Sequence, residues 1–171
     1  MLLAPFFDDP QRKFSIRELS RMLKINHTTV RQGLNWLVKE EYLSFKKEGV
    51  YIFYRLVLTR KTLNLKLFYN LEKIRISGLM GDLEKAFDLP VIVLFGSYAF
   101  ACDDVTSDID ICVITNIEKK FSVEKYESIL HRKVSLHKFS KMEWEKMKKS
   151  HPFLVNNICN GVVLSGELVI V

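Results

Sequence analysis

The chain is poor in cysteine, has no long apolar run and repeats nothing. Cys102, Cys112 and Cys159 are odd in number and include no Cys-x-x-Cys pair. They therefore build neither a disulfide framework nor a zinc site, and read as reduced thiols. No apolar stretch approaches the roughly 20 residues that a membrane-spanning helix needs. The opening MLLAPFFDDPQRKF has too short an apolar part for a signal peptide, and acids where one would carry early positive charge. The expectation is a cytoplasmic protein with no membrane partner. Against these absences stand 171 residues, 48% of them hydrophobic, enough for one medium or two small domains with real cores.

The densest information lies in Val91 to Thr115, VIVLFGSYAFACDDVTSDIDICVIT. A wholly apolar run ends in Gly96-Ser97, ten residues follow, and Asp108 and Asp110 then flank Ile109 at the start of a second apolar run. Strand alternation places the two carboxylates on one face. Two such acids repel each other unless a cation sits between them, and hard divalent cations take oxygen ligands. A Gly-Ser pair after a buried strand, entering a turn or short helix, offers N–H groups and a hydroxyl to a phosphate. The combination points to a site for a metal-bound nucleoside triphosphate.

Through these residues the chain resembles the nucleotidyltransferases of the DNA polymerase beta superfamily, above all the small "minimal" prokaryotic branch. That family's signature is a hydrophobic strand, Gly-Ser, about ten residues and then Asp-x-Asp in a second strand; Gly96, Ser97, Asp108 and Asp110 match it in order and spacing. The likeness is strong over Val91 to Ser140 and loose beyond. It implies a mixed sheet with flanking helices, Mg2+ (or Mn2+) held by Asp108 and Asp110, and an NTP anchored at Gly96 and Ser97. Active members carry a third carboxylate on the strand after the next helix, where it helps to activate the attacking group. Here Val134-Ser135-Leu136-His137 puts Ser135 in that place. His137, on the same strand face, can take a proton near neutral pH and joins Asp108 and Asp110 as a candidate catalytic residue; a structural or solvated histidine is the alternative. Asp103 and Asp104 suit a metal ligand or base, and equally a turn cap.

Residues 1 to 58 read as a different unit. Leu2 to Phe7 suits a short helix. Ser15 and Glu18 form a capping box opening a second helix, with Ile16, Leu19, Met22 and Leu23 along one face. Asn26 caps a third, His27 to Glu41, with Val30, Leu34, Leu37 and Val38 as its buried stripe. Tyr42 to Phe45 and Val50 to Leu56 then alternate as strands, joined by Lys46-Lys47-Glu48-Gly49. This order resembles the winged helix-turn-helix domains of prokaryotic transcriptional regulators. The resemblance implies a third helix in the major groove of double-stranded DNA, with Thr28, Thr29, Arg31, Gln32 and Asn35 outward and Lys46 and Lys47 at the wing tip. Ten Lys or Arg against six acids give this segment +4 of the chain's +6, where phosphates would lie. A protein-docking role is the other use of such a fold.

Thr59 to Asp88 reads as one or two helices. Leu63, Leu67, Leu71 and Ile74 form a packing stripe, and Gly78 and Gly81 mark breaks or close approaches. The stripe suits a core, or a homodimer spanning two half-sites. Further on, Ser122 to His131 reads as a helix, Lys133 to Phe139 as a strand, and Glu143 to Lys149 as the start of a very basic helical stretch that Phe153 to Cys159 continues. Gly161 to Leu164 and Leu168 to Val171 suit closing strands or packing segments.

The expected fold class is α+β: a DNA-binding winged helix-turn-helix over 1–58, a helical connector over 59–88, and a small mixed-sheet nucleotidyltransferase fold with flanking helices over 89–171. The expected function is Mg2+-dependent transfer of a nucleoside monophosphate to a macromolecular acceptor. Two alternatives stand beside it: a transcriptional regulator that senses a nucleotide without turnover, and an antitoxin-like protein acting on a protein acceptor or toxin partner.

Overall fold

Ser15, Asn26 and Gly49 set the local structure of the N-terminal part in a computed structural model of the protein, which describes residues 1–169. The chain divides into two compact units, Met1–Tyr69 and Asn70–Val171, with the division falling inside one helix. Together they make an α+β protein.

In the first unit, α1 (Ala4–Asp8), β1 (Phe14–Ser15), α2 (Ile16–Leu23) and α3 (His27–Lys39) precede the hairpin β2 (Leu43–Glu48) and β3 (Tyr51–Leu56). The Ser15 hydroxyl accepts from the Glu18 N–H at 3.3 Å. The reciprocal half of the expected capping box is missing because the Glu18 carboxylate pairs with Arg12 at 2.5 Å. Asn26 caps α3 as expected, its Oδ1 accepting from the Thr28 N–H at 2.7 Å. Leu19, Val30, Leu34 and Leu37 bury against Phe6, Phe7 and Phe14. Met22, expected in the same stripe, is 51% exposed. It lies about 60° from Leu19 on the side away from Ile16 and Leu23, given about 100° per helical residue.

The sheet order is β1-β3-β2, antiparallel throughout, with β1 a strand that the sequence did not announce. Gly49, at φ +63°, supplies the left-handed backbone that a two-residue hairpin turn requires. The turn is therefore Gly49-Val50. Lys46 and Lys47, expected in the connecting loop, are instead strand residues opposite Phe53 and Ile52. Three helices and this ribbon form a winged helix-turn-helix.

The division between units lies in α4 (Arg60–Ser77), which Gly78 ends at φ +79° before α5 (Leu79–Phe87). Gly81 sits inside α5 with nothing within 4 Å of where a Cβ would stand, so it neither breaks the helix nor admits a close neighbour. Along α4 the expected stripe is buried at Ile74 but only half-buried at Leu63, Leu67 and Leu71; Thr62, Lys66 and Asn70 are fully buried as well. Polar groups accept such burial when they are bonded: Thr62 meets Thr59 at 3.0 Å, and Asn70 donates to the Tyr98 carbonyl at 3.0 Å.

The second unit continues with β4 (Val91–Phe95), α6 (Gly96–Ala99), β5 (Ile109–Ile114), α7 (Glu124–Leu130), β6 (Val134–Phe139), α8 (Lys141–Ser150), α9 (Pro152–Cys159) and β7 (Val162–Ser165). The sheet order is β6-β5-β4-β7; β5 and β6 run parallel and the other pairs antiparallel. Alternation sends Ile92, Leu94, Ile111 and Val113 to a core with Leu79, Leu83, Phe87 and Tyr126 on α5 and α7. Val93, Phe95, Cys112 and Ile114 meet Trp144, Val155 and Ile158 of α8 and α9 on the other face. The basic helical stretch is broken at His151 because Pro152 has no N–H with which to continue α8. Leu168 and Val169, expected in a closing strand or packing segment, form no strand, but Leu168 packs against the core beside α8 and α9; Ile170 and Val171 lie outside the described residues.

Candidate functional site

The Gly-Ser turn and the Asp-x-Asp pair meet where β4 and β5 face each other. Phe95 is the register partner of Asp110, so the residue after Phe95 arrives beside that carboxylate. Gly96 takes φ +71°, and a Cβ built on it would collide with Asp110 Oδ2. Only glycine permits both the backbone conformation and the approach. Ser97, half-buried, is the second residue of the single turn of α6, and its hydroxyl makes no hydrogen bond among the described residues.

Asp108 stands just before β5 and Asp110 within it, and both address the same edge of β6. Asp110 is paired in register with Ser135, whose hydroxyl donates to Asp108 Oδ2 at 3.2 Å. Lys133 Nζ lies 3.7 Å from that same oxygen. His137 Nε2 is 3.9 Å from Asp110 Oδ1, and the His137 ring packs edge-on against Phe95 with centroids 5.3 Å apart. Burial pushes the Asp110 carboxyl above its usual range; His137 pulls it back and the charge of Asp108 pushes it up. The predicted residues Gly96, Ser97, Asp108, Asp110, Ser135 and His137 thus gather at one sheet end.

The donor set fits a hard divalent ion shared with a substrate. Among the described residues no three His, Cys, Asp or Glu side chains are arranged to hold a metal by themselves. Mg2+ is ordinarily held by one or two carboxylates together with phosphate oxygens rather than by a complete protein cage. Asp108 and Asp110 would supply that pair, and a bound cation would offset the burial and the neighbouring Asp108 charge that disfavour ionisation of Asp110.

Asp103 and Asp104 turn out to be structural. Asp104 Oδ1 accepts from the Thr106 N–H at 2.9 Å and its hydroxyl at 2.7 Å, which holds the Asp104 carboxyl below its usual range. Asp103, 2% exposed, pairs with Arg132 at 3.3 Å and accepts from Asn70 Nδ2 at 2.9 Å. Arg132 also donates to the Asp104 carbonyl, and to the Ser107 carbonyl at 3.1 Å. This brace fixes the loop that delivers Asp108. Arg132, Lys133 and Asn70 went unread in the sequence, since nothing in their spacing ties them to the motif.

On the first unit, Thr28, Thr29, Arg31, Gln32 and Asn35 are all exposed along α3. Lys46 and Lys47 are exposed on β2 but point to opposite faces of the ribbon, Lys47 sharing a face with Ile52 and Lys46 with Phe53. Met1–Tyr69 carries thirteen Lys or Arg against six Asp or Glu, whereas Asn70–Val171 carries thirteen against fourteen. The positive excess of the chain belongs wholly to the first unit.

Comparison with known proteins gives three results. No curated protein matches the chain significantly. Among solved structures, reduced HlyU from Vibrio cholerae N16961 matches at 26% identity and a TM-score of 0.36, over 41% of this chain and 74% of that one. The family model of the nucleotidyltransferase domain matches residues 76–164. That span covers just over half of the chain and contains the Gly96-Ser97 turn, both aspartates, Ser135 and His137, and the protein belongs to the nucleotidyltransferase domain family.

Proposed function

We propose that the second unit transfers a nucleoside monophosphate from an NTP to a macromolecular acceptor with Mg2+, and that the first unit binds double-stranded DNA. The observation that carries the enzyme reading is the close approach of Gly96 to the Asp110 carboxylate. It joins a phosphate-binding turn to a cation-binding pair in one small volume.

The Gly96 and Ser97 N–H groups and the Ser97 hydroxyl bind the terminal phosphates. Asp108 and Asp110 hold the divalent ion, with Ser135 and Lys133 steadying Asp108 and His137 steadying Asp110. When bound, that ion offsets the charge on the phosphate oxygens and the leaving pyrophosphate. The acceptor hydroxyl forms its bond to the α-phosphorus as the bond to pyrophosphate breaks, and neutral His137 takes the proton. Incubation with labelled ATP, CTP, GTP or UTP, Mg2+ and either lysate protein or nucleic acid tests this. Transfer of label that disappears in the Asp108→Asn, Asp110→Asn double variant is the expected outcome; equal transfer by that variant rejects it.

The DNA reading is supported by the exposed polar side chains of α3 and by the charge excess of the first unit. Arg31→Ala with Lys46→Ala should weaken salt-dependent retention of duplex DNA and flatten its salt dependence. Unchanged retention at every salt concentration removes this half of the proposal.

A second reading draws on Ser135. A hydroxyl rather than a carboxylate faces Asp110, so the fold can bind a nucleotide as a signal without consuming it. This regulator would change its DNA affinity when NTP and Mg2+ are added and would form no product.

A further inference from the structure

The wing of the first unit displays apolar side chains that its proposed contact with duplex DNA does not use. A groove of about 320 Å3 lies between α3 and one face of the hairpin, lined by Asn35, Val38, Lys39, Phe45, Ile52 and Tyr54. Tyr54 forms its floor at 4% exposure, while Phe45 remains 59% exposed. The two rings are 6.2 Å apart and tilted by 44°. Lys39 lines the groove, and Lys47 shares the ribbon face of Ile52. Arg31 lies close enough for its charge to act on the Tyr54 hydroxyl.

We infer that this groove receives an unpaired nucleobase, so that the first unit prefers nucleic acid with a single-stranded or bulged position over a fully paired duplex. The inference rests on the proposal that this unit binds nucleic acid. A phosphate gains nothing from walls of Phe45, Ile52 and Val38, whereas a base stacks on an aromatic ring whatever its identity. The Asn35 amide offers a donor and an acceptor to a base edge. Lys39, Lys47 and Arg31 stand ready for the flanking phosphates, in a unit with thirteen cationic residues against six acids. An apolar side chain of a protein partner would fill the walls and leave this charge and the amide unused.

The full chain is titrated, at fixed salt, with a paired DNA duplex, the same duplex carrying a one-base bulge, and single strands of DNA and RNA. 2-Aminopurine occupies the unpaired position. The expected result is binding to the bulged duplex or a single strand at least about tenfold tighter than to the paired duplex, the scale of one base–aromatic stack. Emission of the 2-aminopurine should fall on binding. Phe45→Ser should abolish both the preference and the quenching while retaining duplex binding; Ile52→Thr serves the same purpose should Phe45→Ser fail to fold. The DNA and RNA arms identify which backbone carries the base. Salt-dependent binding of paired duplex without preference or quenching overturns the inference and leaves DNA binding standing. Loss of all nucleic-acid binding removes both, and a protein captured through Phe45 with no base preference reassigns the groove to protein docking.

Discussion

Replacing Gly96 by alanine separates the conformational demand of the turn from the crowding of the Asp110 carboxylate. The backbone there has φ +71°, a region that costs an L-residue about 1–2 kcal/mol. The new Cβ would also collide with Asp110 Oδ2 and lie 3.3 Å from its Cγ. Because the collision is with the tip of a side chain, Asp110 turns aside, at about 0.5–1.5 kcal/mol for leaving its rotamer. Gly78→Ala is the matched control: φ is +79° and nothing lies within 4 Å of the added carbon. Gly96→Ala should therefore lose about 1 kcal/mol more than Gly78→Ala, near 5 °C in Tm for a unit of about 100 residues. It should also weaken Mg2+-dependent binding of a non-hydrolysable NTP, which Gly78→Ala leaves intact. In an Asp110→Ala background the excess cost should vanish, since nothing remains to be displaced. Thermal unfolding of the four variants and calorimetric titration measure both effects. An excess that survives in the Asp110→Ala background, or nucleotide binding that Gly96→Ala leaves untouched, refutes the reasoning.

Other perturbations follow from the same geometry. Arg132→Met, which removes one partner of a buried ion pair with Asp103, should cost about 3 kcal/mol in urea unfolding. Ser135→Asp restores a third carboxylate opposite Asp110; label transfer should rise at least about tenfold, and metal-free protein should lose stability to like-charge repulsion. Since the Asp110 pKa is raised in the folded state, its ionisation disfavours folding as pH rises above the ordinary value. Metal-free Asp110→Asn should accordingly melt higher than wild type at pH 7 and no higher below the usual Asp range. Mg2+ with NTP should then stabilise wild type alone. Finally, Cys102 is exposed whereas burial pushes the pKa of the Cys112 thiol up to about 12. A thiol reagent at pH 8 should label Cys102 quickly and Cys112 only after denaturant is added.

The elements with a local cause were readable from the sequence. Asn26 announces the start of α3 because its side chain bonds an N–H two residues on, and Gly78 ends α4 because it alone adopts φ +79° cheaply. Motif spacing likewise carried Gly96, Ser97, Asp108 and Asp110 to one place, since antiparallel pairing of two apolar strands must bring their facing ends together. Long-range effects were not readable. Hydropathy pointed to leucines on α4, yet Thr62, Lys66 and Asn70 carry the burial, because bonded polar groups can be interior and sequence does not show the bond. The same holds for Glu18, drawn from its capping box by Arg12, and for the Arg132 brace on the loop before Asp108.

Residue order by itself determined the α+β class and a Gly-Ser turn that precedes paired aspartates, because periodicity, caps and spacing are local properties. Only tertiary structure decided that Ser135 donates to Asp108, that His137 stands beside Asp110, and that Lys46 and Lys47 diverge across the ribbon. Each depends on strand register, which is set by the packing of a whole sheet and which no single segment contains.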